Sequence, residues 1–417
     1  MRTITSSGIA SMLGVLSLGL GLVACSGSDG SEGASGAAGT NGTNGTNGTN
    51  GASGKDGTNG STGPQGPAAD GGTPVTDAPA AVYTISNDPT QNEVVVYSRA
   101  ADGSLTPFGS FQTGGRGTGA GLGDQGALAF DSKRKAFFAV NAGDNSVSML
   151  SLHTDGSLAL ISKIASGGVA PISLTLSGDV LYVVNAGDAS NTAQISGFRV
   201  AAGGLVAIAS STQPLSAKNP APAQIQFSPD GKLLVVTEKG TNMIDTYVVT
   251  AGVASAPNSQ AAAGTTPFGF AFGPAQKLIV TEAFGGGATL GATSSYSIAA
   301  DGALTPVSKS ATSTQTAPCW VATSGTHAFV TNTGSNTITT YSIAADGTLT
   351  LANANGVAAA TGDGPADDAF SPTSDLLYTR NGRDHSLSVF AVAADGTLTK
   401  KPDFVGLPTF AAGLVVR

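Results

Sequence analysis

The residues best placed to do chemistry are a few acids that interrupt a regular pattern. The stretch PAPAQIQFSPDGKLLVVTEKG, residues 220–240, ends an apolar run on Glu238, and LIVTE ends in the same way on Glu282. The corresponding segments FAVN, YVVN, FVTN and YTRN end instead on Asn141, Asn185, Asn332 and Asn381. A carboxylate closing a buried strand can take a proton, fix the hydroxyl groups of a ligand or hold a cation. With Asp367, the two glutamates would supply the oxygen donors that Ca²⁺ or Mg²⁺ prefers. No contiguous metal motif accompanies them, GDGPADD departs from calcium-loop spacing, and no cofactor is required. Beside the acids stand an amide, Gln224, and three rings, Phe268, Trp320 and Phe410, each close behind a proline. Ring faces stack on sugars while carboxylates and amides orient them, so the set suits a small polar ligand, a glycan or a peptide. An Asn or Asp after a strand also commonly bonds to its own turn, which is the plain alternative for each Asn.

These residues are positioned by a repeat. Asp-Gly-x-Leu or a relative of it begins at residues 102, 155, 202, 251, 301, 346 and 395, a spacing of about 49 residues. Asp-Gly between alternating apolar runs marks a tight hairpin, because Gly accepts the positive φ of such turns. A proline-led segment (PISLTLSG, PAQIQFSP, PFGFAFGP, PCWVATSG, PADDAFSP) precedes five of the six strands that end in Asn or Glu, all but FAVN. Each unit therefore holds about four short strands and no convincing helix, which predicts an all-β, seven-bladed propeller of four-stranded blades. The first unit lacks its proline strand and the chain ends on the orphan PTFAAGLVV, so the C-terminal strand should complete the N-terminal blade and close the ring. On this register Gln224, Glu238, Phe268, Glu282, Trp320, Asp367, Phe410, Asn141, Asn185 and Asn332 would ring one mouth of the channel. The glycine-rich GGRGTGAGLGDQG lacks the Lys and Ser/Thr of a phosphate loop and reads as a flexible connection between blades.

Three segments divide the chain: residues 1–24, 25–80 and 81–417. The first combines Arg2, an apolar stretch from Ile9 to Gly21, and LVAC up to Cys25. It resembles a bacterial lipoprotein signal, which implies cleavage before Cys25, lipidation of that thiol, and a bacterial envelope location at the outer membrane or cell surface. Cys25 and Cys319 are the only cysteines, so a lipidated Cys25 leaves no disulfide framework and stability falls to the core. From Gly27 to Gly66 glycine recurs at every third position, fourteen times, as in collagen. Proline occurs only at 64 and 67 there, so the segment suits a flexible spacer averaging roughly 35 Å end to end, with a trimeric triple helix as the alternative to a monomer. The formal charge is −8 over 417 residues, with no basic cluster, which argues against nucleic acid.

The pattern Pro-x-x-x-x-Phe-Ser-Pro-Asp-Gly-Lys, then aromatic-Val-Thr-Asn, then Asp-Gly-x-Leu resembles the YVTN-repeat propellers and the lactonase propellers that include 6-phosphogluconolactonase. The resemblance implies a site built from an Arg-His pair after the proline of an inner strand and a Glu closing the next strand. Glu238 matches that Glu, but Ala223 and Gln224 occupy the pair's positions, and no other blade has a basic residue there. Gln224 can donate a hydrogen bond to an oxyanion but cannot take a proton. Arg380, Arg383 and His385 in TRNGRDHS could bind an anion on the same face, although the family's Asn-Arg-Gly order is here Asn-Gly-Arg. Catalytic candidates are thus Glu238, Gln224 and Glu282, and ligand-binding candidates add Phe268, Trp320, Asp367, Phe410 and Arg383. The balance falls on an envelope-displayed binding or interaction module. A divergent lactonase, 6-phosphogluconolactonase-like or metal-dependent and gluconolactonase-like, is the enzymatic alternative, and a structural envelope component is the third.

Overall fold

A computed structural model describes residues 78–417. The signal, Cys25 and nearly all of the Gly-X-Y segment lie outside the described residues. Within them the chain forms seven antiparallel sheets and two single-turn 3-10 segments, Pro274–Gln276 and Phe284–Gly286.

Blade 1 pairs Ala81–Ile85, Glu93–Arg99 and Leu105–Gln112 with the last strand of the chain, Ala412–Val416. That strand is innermost, in register Val82↔Val416, and Thr84 Oγ1 donates to Gly413 O at 2.7 Å. The predicted closure is therefore present. Blades 2 to 7 follow in chain order, with innermost strands Leu128–Asp131, Pro171–Ser177, Pro222–Phe227, Pro267–Phe272, Pro318–Ser324 and Pro365–Phe370. Each packs on its neighbours round the ring, the blade 7 strand meeting Ala412–Val416. In blades 3, 4, 6 and 7 the outer strand is split, a short fifth strand pairing with the same third strand as the fourth.

Local chemistry explains the units. Five innermost strands open on Pro, a position where a missing N–H costs no ladder bond. The register slips just after each of these prolines, a bulge that re-aims the next side chains toward the axis. The second strands of blades 2 to 5 and 7 are buried throughout, and that of blade 6 in all but His327, supplying the apolar layers between sheets. Tyrosines stitch neighbouring blades at their ends: Tyr182 Oη donates to Gly252 O and Tyr378 Oη to Gly103 O, each at 3.0 Å. The Asp-Gly turns form as read, with Gly103 at φ +92° and Asp102 accepting the Ser104 N–H at 2.9 Å.

Candidate functional site

The two glutamates that break the Asn pattern do not open onto the channel. Glu238 is fully buried at the end of Leu233–Glu238, where its carboxylate accepts the Ser216 N–H at 2.9 Å and the hydroxyls of Ser216 and Thr241. Asp245, across on the third strand, accepts the same Ser216 N–H at 3.0 Å; burial, then Glu238, pushes its pKa up to about 7. Glu282 accepts from Gly264 N–H at 2.8 Å, Ser294 Oγ at 2.5 Å and Ser310 Oγ at 2.6 Å. Burial raises its pKa and those three donors partly offset the rise. The asparagines do the same work in their blades: Asn141 donates to Ser146 and Ser148, Asn185 to Ser166 O and Ser196, and Asn332 to Thr337 and Thr339. Glu238, Glu282, Asn141 and Asn185 tie the second strand to the segment that leads into their own blade, and Asn332 ties it to the third strand. The reading that places them around a mouth is corrected, because the strand pleat turns its last side chain into the blade rather than toward the axis.

Gln224 is likewise committed. Its Nε2 donates to Phe270 O at 2.9 Å and Gln226 Oε1 at 3.2 Å, and its Oε1 accepts the Phe270 N–H at 2.7 Å. It clamps blade 4 to blade 5 and has no donor left for an oxyanion. Ala223, where the family's Arg would stand, is buried in an apolar cluster with Phe268, Cys319, Trp320 and Ala366. Arg383 lies on the outer turn, paired with Asp363 at 3.2 Å and donating to Thr333 O.

The strand-start mouth is filled. The end of the glycine-rich connection, expected to be a flexible link, crosses it and is bound at every step. Lys239 Nζ donates to Gly123 O, and Trp320 Nε1 donates to Asp124 O at 2.7 Å. Gln125 donates from N to Ala223 O and from Nε2 to Val321 O, each at 3.1 Å. Gly269 makes room for it, since a Cβ there would lie 2.5 Å from Gln125 Oε1. Trp320 and Phe268 pack at 5.1 Å between ring centres, Lys239 sits 4.5 Å over the Phe268 ring, and Phe410 borders the rim. The space left is about 10 Å³, scarcely one water. Trp320 is thus a plug, not a platform.

Beneath the plug lies a charged layer that the repeat pattern conceals. Arg380 occupies the position where blades 4 to 6 carry Thr237, Thr281 and Thr331, hydroxyls that simply bond inner-strand carbonyls. It is buried near Asp124 and Asp367, whose charges offset the desolvation that lowers its pKa. Burial pushes Asp367 up to about 7, with Arg380 pulling the other way, and raises Asp124 and Asp368 well above the usual carboxylate range. Burial also brings Lys239 down to about 8, opposed by Asp124. Asp124 Oδ2, Asp367 Oδ2, Asp368 Oδ2 and Arg380 Nε have no hydrogen-bond partner among the described residues. Asp124, Lys239 and Asp368 were missed as site residues; an acid pair inside an inner strand, PADDAF, was the signal available.

Below this layer the channel is open. A cavity of about 640 Å³ runs to the mouth at the strand ends, with Asp367, Asp368 and Gln224 toward its floor and Phe130, Phe227 and Phe272 among its walls. Among the described residues no Lys, Arg or His lines it, although the Arg417 guanidinium stands 5.1 Å over the ring of its wall residue Phe130. Glu238, Glu282 and Asp367 do not converge, and among the described residues no three His, Cys, Asp or Glu side chains come together as a metal-binding set.

The seven-bladed β-propeller lactonase family model matches residues 116–411. The chain belongs to that lactonase family. A collagen triple-helix repeat model matches residues 21–79. Solved structures share the propeller at low identity. A candidate 6-phosphogluconolactonase of Bacteroides fragilis is 18% identical with a TM-score of 0.64, covering 83% of this chain and 100% of its own. The periplasmic gluconolactonase of Pseudomonas aeruginosa is 18% identical with a TM-score of 0.62, covering 81% and 98%. A protein of unknown function from Desulfotomaculum acetoxidans is 14% identical at the same TM-score, covering 81% and 99%. A search of curated proteins finds no significant match. At such identities the likeness is one of fold, and activity rests on the site. In this lactonase-family propeller the positions of the Arg-His pair are taken by an alanine in an apolar plug and a fully bonded glutamine.

Proposed function

We propose that this lactonase-family propeller is a ligand-binding module of the bacterial envelope, held to the membrane through Cys25 on its Gly-X-Y spacer, and not a lactone hydrolase. The observation that carries the reading is the contrast between the two mouths: the strand-start mouth is sealed by Trp320, Phe268 and the Gly121–Gln125 loop, while the opposite one opens on a cavity of about 640 Å³. Pockets of this size with apolar walls and a few convergent polar groups hold small molecules. A phosphorylated, anionic lactone does not suit it, because among the described residues the ionisable groups that line the cavity are the carboxyls of Asp367 and Asp368. The enzymatic reading retains one support, Asp367, whose pKa near 7 beside Arg380 is that of a general base.

Turnover separates the two. The full chain should open 6-phosphogluconolactone and gluconolactone no faster than buffer. Turnover that disappears in Asp367→Asn would replace the binding reading with the hydrolase. Anchoring is tested by fractionation, in which Cys25→Ser should move the protein from membranes to the soluble fraction.

A further inference from the structure

The open mouth has a chemical bias that names a class of ligand. Asp367 and Asp368 are neighbours on one inner strand, paired in regular register with Arg380 and Thr379, and both border the cavity. Asp368 is 6% exposed and Asp367 3%, yet one oxygen of each, Oδ2, lacks any hydrogen-bond donor. Their other oxygens are engaged, Asp368 Oδ1 by the Thr379 hydroxyl at 2.7 Å and Asp367 Oδ1 by the Asp368 N–H at 3.0 Å. Buried carboxyl oxygens in native proteins are normally paired, and a carboxylate in a dry site is stabilised chiefly by a cation with N–H groups to give.

Among the described residues no basic side chain lines the cavity, and the cation near Asp367, Arg380, is shared with Asp124. Arg380 lies toward the sealed mouth, where it borders the small gap beside Trp320 and Phe410. Of the amides near the floor, Gln224 is spent on Gln226 and Phe270, while Gln226 accepts through Oε1 and offers only a neutral N–H donor. The walls toward the mouth carry Phe227 and Phe272, apolar surfaces whose ring faces also attract cations, and Phe130, whose ring already carries the Arg417 guanidinium at 5.1 Å. Asp124 lies on the plug side and forms no three-acid metal set with Asp367 and Asp368, so the pair falls short of the six to eight oxygens that a calcium site gathers, whereas one ammonium group with three N–H donors fits two orphan oxygens.

We propose that the strand-end mouth binds an organic ammonium ion, a primary amine on an apolar or aromatic body, with the nitrogen held between Asp367 and Asp368 and the body among the phenylalanines. The assignment rests on the binding-module reading and specifies its ligand class.

The test is calorimetric titration of the full chain with 2-phenylethylamine, with 2-phenylethanol, phenylacetate and CaCl₂ as comparisons. The amine should bind at least tenfold more tightly than the alcohol, and phenylacetate should show no saturable binding. Asp368→Asn, which keeps the shape and can still accept from Thr379, should weaken the amine at least tenfold with little change in melting temperature. Should that variant fail to fold, Ala322→Arg, which sends a cation into the cavity from the blade 6 wall, should abolish amine binding in a protein that still melts cooperatively. Equal binding of alcohol and amine, amine binding unaffected by both variants, or Ca²⁺ binding that displaces the amine would each overturn the assignment. Lactone turnover lost in Asp367→Asn would sink the module reading by itself, whereas an inert protein that also ignores the amine would sink only the ligand class.

Discussion

Two sets of buried acids in this propeller have opposite relations to their surroundings. Glu238 and Glu282, at the outer ends of second strands, meet donors that the blade provides: a backbone N–H and two hydroxyls each. Asp124, Asp367 and Asp368, near the axis, each keep an oxygen without a donor. The first set behaves as the repeat's asparagines do and holds a blade together. The second is carried at a cost, since a buried polar atom left unpaired costs about 1–3 kcal/mol. Burial alone therefore does not distinguish a structural acid from one poised for a ligand; an orphan oxygen on a residue that borders the cavity does, since Asp245 Oδ1 is equally unpaired but lies within blade 4.

The largest expected effect is on the satisfied set. Glu282→Leu strands the Gly264 N–H and the Ser294 and Ser310 hydroxyls, and should cost about 2–4 kcal/mol in denaturant unfolding while leaving cavity ligands unaffected. A loss under 0.5 kcal/mol would erase the distinction between the two sets.

Asp367 should respond in the other direction and with a pH signature. Its folded-state pKa of about 7 lies above the ordinary value of 3.8, so its contribution to stability is fully present below about pH 4 and is lost as pH rises through 7. Asp367→Asn should therefore leave stability at pH 4 nearly unchanged and raise it at pH 8 by about 1–2 kcal/mol, a gain limited by the loss of a counter-charge for Arg380. Melting temperatures of both proteins across that range decide it; parallel curves would contradict the account.

Arg383→Ala provides the smallest effect. Its ion pair with Asp363 is about a third to a half exposed and belongs to neither set, so the change in stability should stay below about 0.5–1 kcal/mol. A larger loss would mean that the outer turn, not the axis, carries the strain of blade 7.

Local rules made most of the fold legible. Pro-led strands, apolar second strands and Asp-Gly turns are short-range signals, and counting them gave seven blades and the ring closure by Ala412–Val416. The site was less accessible. Position in the repeat located Glu238, Glu282 and the asparagines along the chain but not the face they turn to, because the bulge after each proline shifts the pleat of the inner strand alone. Asp367 and Phe268 could be placed near the axis from that register, whereas Gln224's commitment to Phe270 depends on the neighbouring blade.

The sequence by itself determined the period, the strand content and the absence of a basic residue at the start of every inner strand. Each of those is a property of residues a few positions apart. Only the tertiary structure decided which mouth is open, since the plug joins Asp124 to Trp320 and Gly123 to Lys239 across 196 and 116 positions of chain. It likewise decided which acids lack donors, because a carboxyl's solvation is set by whatever the ring closure packs against it, and nothing within one repeat unit specifies the other six.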